Sequence, residues 1–353
     1  MKIVIFHYLC SRFIWINMST KVIRNFVFAI LTIISTTIMG CGQHTKEYIS
    51  FEGESLGTFV QIKANTDIPA KHIAEVVAEV DSIAKGSMSI FNPESLLSKI
   101  NRNETAVADD HIIRNIELAK RFSQLSDGAY DITIKPLTEA YGFGRSVADK
   151  SINIDSILEF VGYEKLSLAD GLVVKSDERV QIDLNSIAKG YTVDLMAERL
   201  EAMGIVEYMV NIGGEIRCRG RNPRGESWRV GIETPYDGNM AMDSFEKIVK
   251  LEDCAVATSG NYRRFYLTED GRKVTHTIDP RTGESVAGDL LSATVIAPTC
   301  AEADAAATMF MSLGSEGNAT TLAERCAEEY GWRYYFIFAG EEDYRIECSP
   351  EFR

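Results

Sequence analysis

The segment from residue 181 to residue 203 constrains this chain more than any other. It begins as a short apolar run and continues as a helix, because apolar residues recur at helical spacing. The predicted apolar face of this helix consists of Val193, Met196, Ala197, Leu200 and Met203. Asp194, Glu198 and Arg199 fall off that face.

A strand-to-helix turn lies inside this segment, at Asn185–Gly190, and contains small residues, a hydroxyl and the cation Lys189. The first N–H groups of a helix have no partner within it, and the positive end of its dipole favours anions. The turn therefore predicts a site for a phosphate or another anion. An ordinary turn has the same composition, so the rest of the chain must decide between the two.

The N-terminus has the pattern of a targeting segment. Lys21 and Arg24 precede an apolar run that ends in Met39-Gly40-Cys41, which resembles a bacterial lipoprotein box. We predict a lipoprotein-type signal peptide over residues 1–40, with Met18 as an alternative start, and a lipidated (palmitoylated) Cys41. A plain transmembrane anchor is the alternative, but the run is short and interrupted by hydroxyl residues. We expect a bacterial membrane lipoprotein facing the periplasm, with the inner membrane favoured over the outer.

Charge and cysteine content exclude some classes of function. Acidic residues number 51 against 37 basic ones, a net charge of −14, which argues against nucleic-acid binding. No pair of cysteines has CxxC spacing, so neither a zinc knuckle nor a thioredoxin motif is expected. One disulfide is possible, but the sequence does not predict its pairing.

Several further stretches carry candidate chemistry. Phe91 lies on a loop before Pro93 and serves either as a hydrophobic plug or as a stacking surface for a planar ring. His276 ends a predicted hairpin strand, where it either anchors a turn or acts as acid, base or phosphate contact. Asp304 and Thr308 lie four residues apart on an alanine-rich helix that Thr299 caps. An acid and a hydroxyl on one small face suit a hard cation such as Mg²⁺.

Two other segments give structural expectations. Residues 207–219 predict one strand with a kink or bulge at Gly213-Gly214. Residues 127–144 predict a strand-like piece followed by a segment that Pro136 opens.

Taken in order, the motifs resemble the ApbE family of FAD:protein FMN transferases. The matching segments are SLGTFV, SMSIFNPESLLSKIN, DGAYDITIKPLTEAYGFG, IDLNSIAKGYTVD, VNIGGEI, SGNYRRF, HTIDPRTGE and LLSATVIAPTCAEADAAAT. Two positions differ from the usual family pattern: Leu56 replaces a Met, and Asn261 replaces an Asp. No role is assigned to Asn261.

The resemblance implies an activity and its residues. Members bind FAD and Mg²⁺ and attach FMN through a phosphoester to a threonine or serine of a redox protein, at a Ser-Gly-Ala-Thr-like segment, with release of AMP. The implied Mg²⁺ ligands are the Ala188 carbonyl, Asp304 and Thr308. The implied flavin-nucleotide contacts are Leu56, Phe91, Ala129, Tyr130, Asp131, Asn185, Lys189, Tyr191, His276 and Ile278. His276 and Asp304 are the implied catalytic residues.

The resemblance also implies an α+β fold, with two closely packed α/β subdomains over residues 51–353, a tether over 41–50, and the FAD and Mg²⁺ site between the subdomains. Two other functions remain open: an Mg²⁺-dependent FAD pyrophosphatase that uses water as acceptor, and a non-catalytic flavin-binding lipoprotein. Neither GxGxxG nor GxxxxGK[ST] occurs, so a Rossmann or P-loop site is excluded.

Overall fold

The computed structural model describes residues 47–144, 153–235, 245–262, 264–286, 288–340 and 343–352. The predicted signal peptide and the lipidation site Cys41 lie outside the described residues. Residues 47–353 form one compact unit. The first strand already begins at Tyr48, so the folded part starts slightly before the predicted boundary at residue 51.

Within the described residues, an antiparallel sheet of eight strands is the centre of the fold, in the order β1-β2-β5-β6-β9-β12-β13-β14. The strands are β1 Tyr48–Ser55, β2 Thr58–Asn65, β3 Leu166–Ala169, β4 Leu172–Lys175, β5 Tyr208–Ile212, β6 Glu215–Arg219, β7 Trp228–Glu233, β8 Phe245–Leu251, β9 Cys254–Gly260, β10 Phe265–Leu267, β11 Lys273–Thr275, β12 Leu290–Ala297, β13 Arg333–Ala339 and β14 Tyr344–Cys348. The pairs β3–β4, β7–β8 and β10–β11 form separate hairpins.

Most of the helices pack on one face of this sheet. The helices are α1 Ala70–Ile83, α2 Leu96–Asn101, α3 Asp110–Leu125, α4 Lys135–Ala140, α5 Ile154–Leu158, α6 Ala188–Ala202, α7 Cys300–Leu313 and α8 Ala319–Tyr330, with a π-helical turn at Ala84–Met88 and 3-10 turns at Tyr163–Lys165 and Pro350–Phe352. Helices α4 and α5 instead pack in a separate apolar cluster beside the sheet. None of the helices in the described ranges is long and apolar enough to cross a lipid bilayer.

Strand alternation explains why the sheet separates two apolar layers. In β13, Tyr334, Phe336 and Phe338 join the large helix-side core, whereas Tyr335 and Ile337 join a second cluster. The β7–β8 hairpin covers that second cluster. A third cluster, which includes Leu137, Phe143 and Ile278, forms a smaller body beside the sheet. Mixed helix and strand in this arrangement confirms the predicted α+β class.

A local signal placed the start of α7 correctly. The Thr299 side chain accepts a hydrogen bond from the Glu302 N–H, and α7 begins after Thr299, as the capping box predicts. In the structure, the Asp109 side chain also caps α3.

Two segments differ from expectation. The predicted kinked strand over 207–219 is a hairpin, because Gly213 and Gly214 both have positive φ (61° and 111°) and together form a two-residue turn between β5 and β6. The predicted strand-like piece after Gly128 consists of turns, with one isolated bridge from Ile134 to Gln181, and leads directly into α4.

Candidate active site

A cavity of about 290 Å³ opens between the sheet, the N-terminal end of α6, α7 and the third apolar cluster. Nine of the predicted site residues line it: Ala129, Tyr130, Asp131, Asn185, Lys189, His276, Ile278, Asp304 and Thr308. These residues come from segments far apart in the chain, so the fold brings them together.

The start of α6 lies directly against α7. The Gly190 N–H donates to Asp304 Oδ2 at 2.9 Å. A Cβ on Gly190 would lie 2.3 Å from the Cys300 carbonyl oxygen and 2.8 Å from the Asp304 Cβ, so only glycine allows this approach. The 185–190 turn therefore contacts the part of α7 that carries Asp304 and Thr308. The predicted metal site requires this contact.

Asp194 holds the same two helices together. Its carboxylate accepts hydrogen bonds from the N–H groups of Cys300 and Ala301, at 2.9 and 2.8 Å, and pairs with Arg217 at 2.8 Å. Helical spacing places Asp194 off the apolar face, yet this side chain is buried, because it satisfies the first N–H groups of α7.

Asp304 lies in an unusual electrostatic environment. Burial raises the pKa of its carboxyl to about 7, and the Glu215 carboxylate adds to this, whereas Lys189 and the Gly190 N–H oppose it. Glu215 is 3% exposed; one of its carboxylate oxygens pairs with Lys189 Nζ at 2.6 Å, and Oε2 is buried without a hydrogen-bond partner among the described residues. Two buried carboxylates with one unpartnered oxygen favour an additional positive charge here.

Glu215 is a charged site residue that the sequence did not predict, and Asp183, Ser259 and Arg264 also line the cavity without having been predicted. Glu215 is the first residue of β6, directly after the Gly213-Gly214 turn, and the hairpin directs it into the cavity. A two-residue Gly-Gly loop followed by an acid is the signal that would have indicated it.

His276 also lines the cavity, and it lies just after β11. Its Nδ1 is 3.2 Å from the Arg264 carbonyl oxygen, and the ring contacts Phe143 edge-on. A carbonyl only accepts, so Nδ1 carries the proton and Nε2 of the neutral ring is left as an acceptor. Burial lowers the pKa of His276, and the positive charges of Arg264 and Lys189 add to this.

The remaining cavity side chains are held by short local contacts. Ser186 Oγ donates to the Tyr130 hydroxyl at 2.9 Å, and Thr308 Oγ1 lies 3.2 Å from Ser259 Oγ. Asp131 accepts from the Thr133 N–H and hydroxyl, and burial raises the pKa of its carboxyl to about 6.

Four predicted residues do not line this cavity. Leu56 lies in the β1–β2 turn with a positive φ, and its N–H donates a hydrogen bond to Asp81. The Ala188 carbonyl accepts a hydrogen bond from the Thr192 hydroxyl at 2.7 Å. The Tyr191 hydroxyl faces His111 Nδ1 at 3.0 Å. Phe91 is 52% exposed, so it is not a buried plug. Their roles in ligand binding stay predictions.

A model of the ApbE family matches residues 56–330. The chain belongs to the ApbE family. It is 32% identical over 303 residues to the FAD:protein FMN transferase of Vibrio cholerae, which covers 83% of this chain and 89% of the relative. It is 33% identical over 337 residues to the FAD:protein FMN transferase of Haemophilus influenzae, and the match covers 91% of this chain and 94% of the relative.

Solved structures of ApbE proteins have the same fold. The flavin transferase ApbE from Vibrio cholerae superimposes with a TM-score of 0.76 at 29% identity, covering 87% of this chain and 98% of that one. The ApbE protein of Thermotoga maritima superimposes with a TM-score of 0.74 at 28% identity, and the match covers 87% of this chain and 98% of that one.

Proposed function

We propose that this ApbE-family chain is an Mg²⁺-dependent FAD:protein FMN transferase. Its acceptor would be a threonine or serine hydroxyl in a Ser-Gly-Ala-Thr-like segment of an exported or membrane redox protein. The observation that carries the proposal is that one cavity is lined both by Lys189, Glu215, Asp304 and Thr308 and by the neutral His276.

The donor set fits a hard divalent cation. Asp304 and Thr308 present a carboxylate and a hydroxyl from successive turns of α7. Glu215, whose Oε2 has no hydrogen-bond partner among the described residues, lines the same cavity. Within the described residues, no cluster of three or more His, Cys, Asp or Glu side chains can hold a metal. Water and the phosphates of FAD would therefore complete the coordination. When bound, Mg²⁺ neutralises phosphate charge and aligns the pyrophosphate.

The chain's own residues supply the rest of the chemistry. Lys189, at the start of α6, lines the cavity and favours the pyrophosphate by its positive charge. Nε2 of His276 takes the proton of the acceptor hydroxyl. The hydroxyl oxygen forms a bond to the FMN phosphorus, the P–O bond to the AMP moiety breaks, and AMP leaves with the electron pair.

A direct assay tests this function. The full-length protein is incubated with FAD, Mg²⁺ and an acceptor protein bearing the threonine, and the acceptor is analysed by mass spectrometry for covalent FMN. A flavinylated acceptor with stoichiometric AMP is expected. Free FMN and AMP without labelled acceptor would assign a pyrophosphatase, and unchanged FAD that survives EDTA on the protein would assign a flavin carrier.

Phe91→Ala is expected to weaken FAD binding by roughly 2- to 12-fold without unfolding the protein, because ring stacking is worth about 0.5–1.5 kcal/mol beyond burial. The affinity is measured by fluorescence titration. Phe245→Ala is the matched control, because Phe245 is 53% exposed but lies on the β7–β8 hairpin. Equal FAD affinity in Phe91→Ala and wild type would leave Phe91 as a surface residue only.

The N-terminal motif supports a lipid anchor in the periplasmic face of a membrane. Cys41→Ser should leave an uncleaved, unlipidated precursor, because the thiol is the atom that receives the lipid. Mass spectrometry of the N-terminal peptide measures this. A wild-type chain whose N-terminus lies upstream of Gly40 would contradict it.

A further inference from the structure

Two thiols face each other across neighbouring strands in the sheet. Cys218 of β6 is paired directly with Cys254 of β9, and Cys218 Sγ lies 3.5 Å from the Cys254 carbonyl oxygen. All five cysteines of the described residues are free thiols in the structure. The other three lie on α7, α8 and β14 (Cys300, Cys326 and Cys348).

The pair is close to the geometry that a disulfide requires, and both side chains lie on one face of the sheet. Both side chains point to the face that the β7–β8 hairpin covers, because Ile216 and Val256, two residues away on each strand, belong to the same cluster. Directly opposed residues have Cβ atoms about 4.5–5.5 Å apart, and a disulfide needs about 3.5–4.5 Å. A small approach of the two strands therefore suffices.

The two thiols are chemically unequal. Cys254 is half-buried, and the Arg333 guanidinium Nη2 lies 3.6 Å from its sulfur, whereas Cys218 is 1% exposed. A cation beside a partly exposed thiol favours the reactive thiolate. The hydrogen bond from Cys218 lowers the pKa of Cys254 to about 7, with a contribution from Arg333, and the same pairing raises the pKa of Cys218.

We propose that Cys218 and Cys254 form a disulfide that joins β6 to β9, with Cys254 as the attacking thiol. The Cys254 thiolate attacks a small-molecule or protein disulfide RSSR and forms a mixed disulfide, releasing one RS⁻. The Cys218 sulfur then attacks the Cys254 sulfur, passes its proton to the second departing RS⁻, and closes the bond. The protein loses two electrons, and RSSR gains them as two thiols.

This bond would hold the sheet beneath the active site. β6 carries Glu215 at its start and β9 carries Ser259 near its end, and both residues line the cavity. The bond would also close the chain segment that contains the β7–β8 hairpin, which restricts the unfolded chain.

The test uses the full chain in buffers of reduced or oxidised glutathione, followed by denaturation, alkylation and peptide mapping without reductant. In oxidised glutathione, a linked peptide containing Cys218 and Cys254 is expected, while Cys326 remains alkylated. The melting temperature should rise by about 5 °C or more relative to the reduced protein.

Single variants test the order of the two steps. Cys218→Ser should accumulate glutathione on Cys254, because no second thiol resolves the mixed disulfide. Cys254→Ser should leave Cys218 free of glutathione, because Cys218 is buried, and Cys326→Ser should behave as wild type. Alkylation of both Cys218 and Cys254 in oxidised wild type, or a link between other cysteines, would overturn the proposal. Neither result bears on flavin transfer.

Discussion

Asp304→Ala is expected to lower Mg²⁺-dependent FMN transfer by roughly 10³-fold or more, while the fold and part of the FAD affinity remain. Asp304 is the buried carboxylate that the α6 and α7 contact directs into the cavity, beside Thr308 and Glu215. Removing it takes away the charged oxygen on which a hard cation depends most. Transfer is measured as covalent flavin on the acceptor over a range of Mg²⁺ concentrations.

Glu302→Ala is the matched control for this variant. Glu302 is on the same helix, but its carboxylate pairs with Arg121 at 2.9 Å and does not line the cavity. Transfer by Glu302→Ala should stay near the wild-type rate. An Asp304→Ala enzyme with wild-type transfer and Mg²⁺ dependence would contradict the metal assignment, as would an FAD complex with Asp304 more than about 6 Å from phosphate or metal.

Stability provides a readout of Asp304 that does not depend on activity. Its pKa in the folded chain, about 7, is above the ordinary value of 3.8, so the folded chain holds this proton more tightly than the unfolded chain does. The resulting stabilisation is present below the ordinary pKa and is lost as pH rises through about 7. Mg²⁺ should therefore raise the melting temperature more at pH 8 than at pH 6, and Asp304→Asn should remove that difference.

The parts of the fold that could be predicted depend on neighbours in the chain. The start of α7 follows from Thr299 and Glu302, three residues apart, and the Asp304–Thr308 face follows from helical spacing. The turn at 185–190 was likewise recognisable, because its glycine and small residues mark a helix start. The free N–H groups predicted there were wrong for Ala188 and Gly190, which donate to the Leu184 carbonyl and to Asp304.

The parts that could not be predicted depend on distant contacts. Asp194 is buried because it binds N–H groups 106 and 107 residues further along the chain, which helical periodicity does not reveal. Tyr191 faces His111 rather than the cavity, because periodicity identifies a buried side but not the neighbour that covers it. The position of Glu215 depends on whether Gly213-Gly214 bends one strand or forms the turn between two. A Gly-Gly pair is compatible with either arrangement, so the sequence alone did not place Glu215 in the cavity.

His276→Ala should lower the rate of transfer by about 10²–10⁴-fold and change FAD affinity much less, which is the usual size of a general-base contribution. His276→Gln refines the test, because an amide can still donate to the Arg264 carbonyl but cannot accept the acceptor's proton at neutral pH. Both variants should therefore be slow. His111→Ala is the control, because His111 is half-buried against Tyr191 and does not line the cavity.

The pH profile separates a base from an anchor of the turn. Burial lowers the pKa of His276, so the neutral ring persists below the ordinary pKa of 6.5, and the wild-type rate should fall only as pH drops through that lowered value. Saturating Mg²⁺ is needed, since proton binding to Asp304 near pH 7 would otherwise add a second decline. His276→Gln should lack the acidic decline. A His276→Ala enzyme that flavinylates at the wild-type rate, with an unchanged profile, would leave His276 only the hydrogen bond that holds the β10–β11 hairpin.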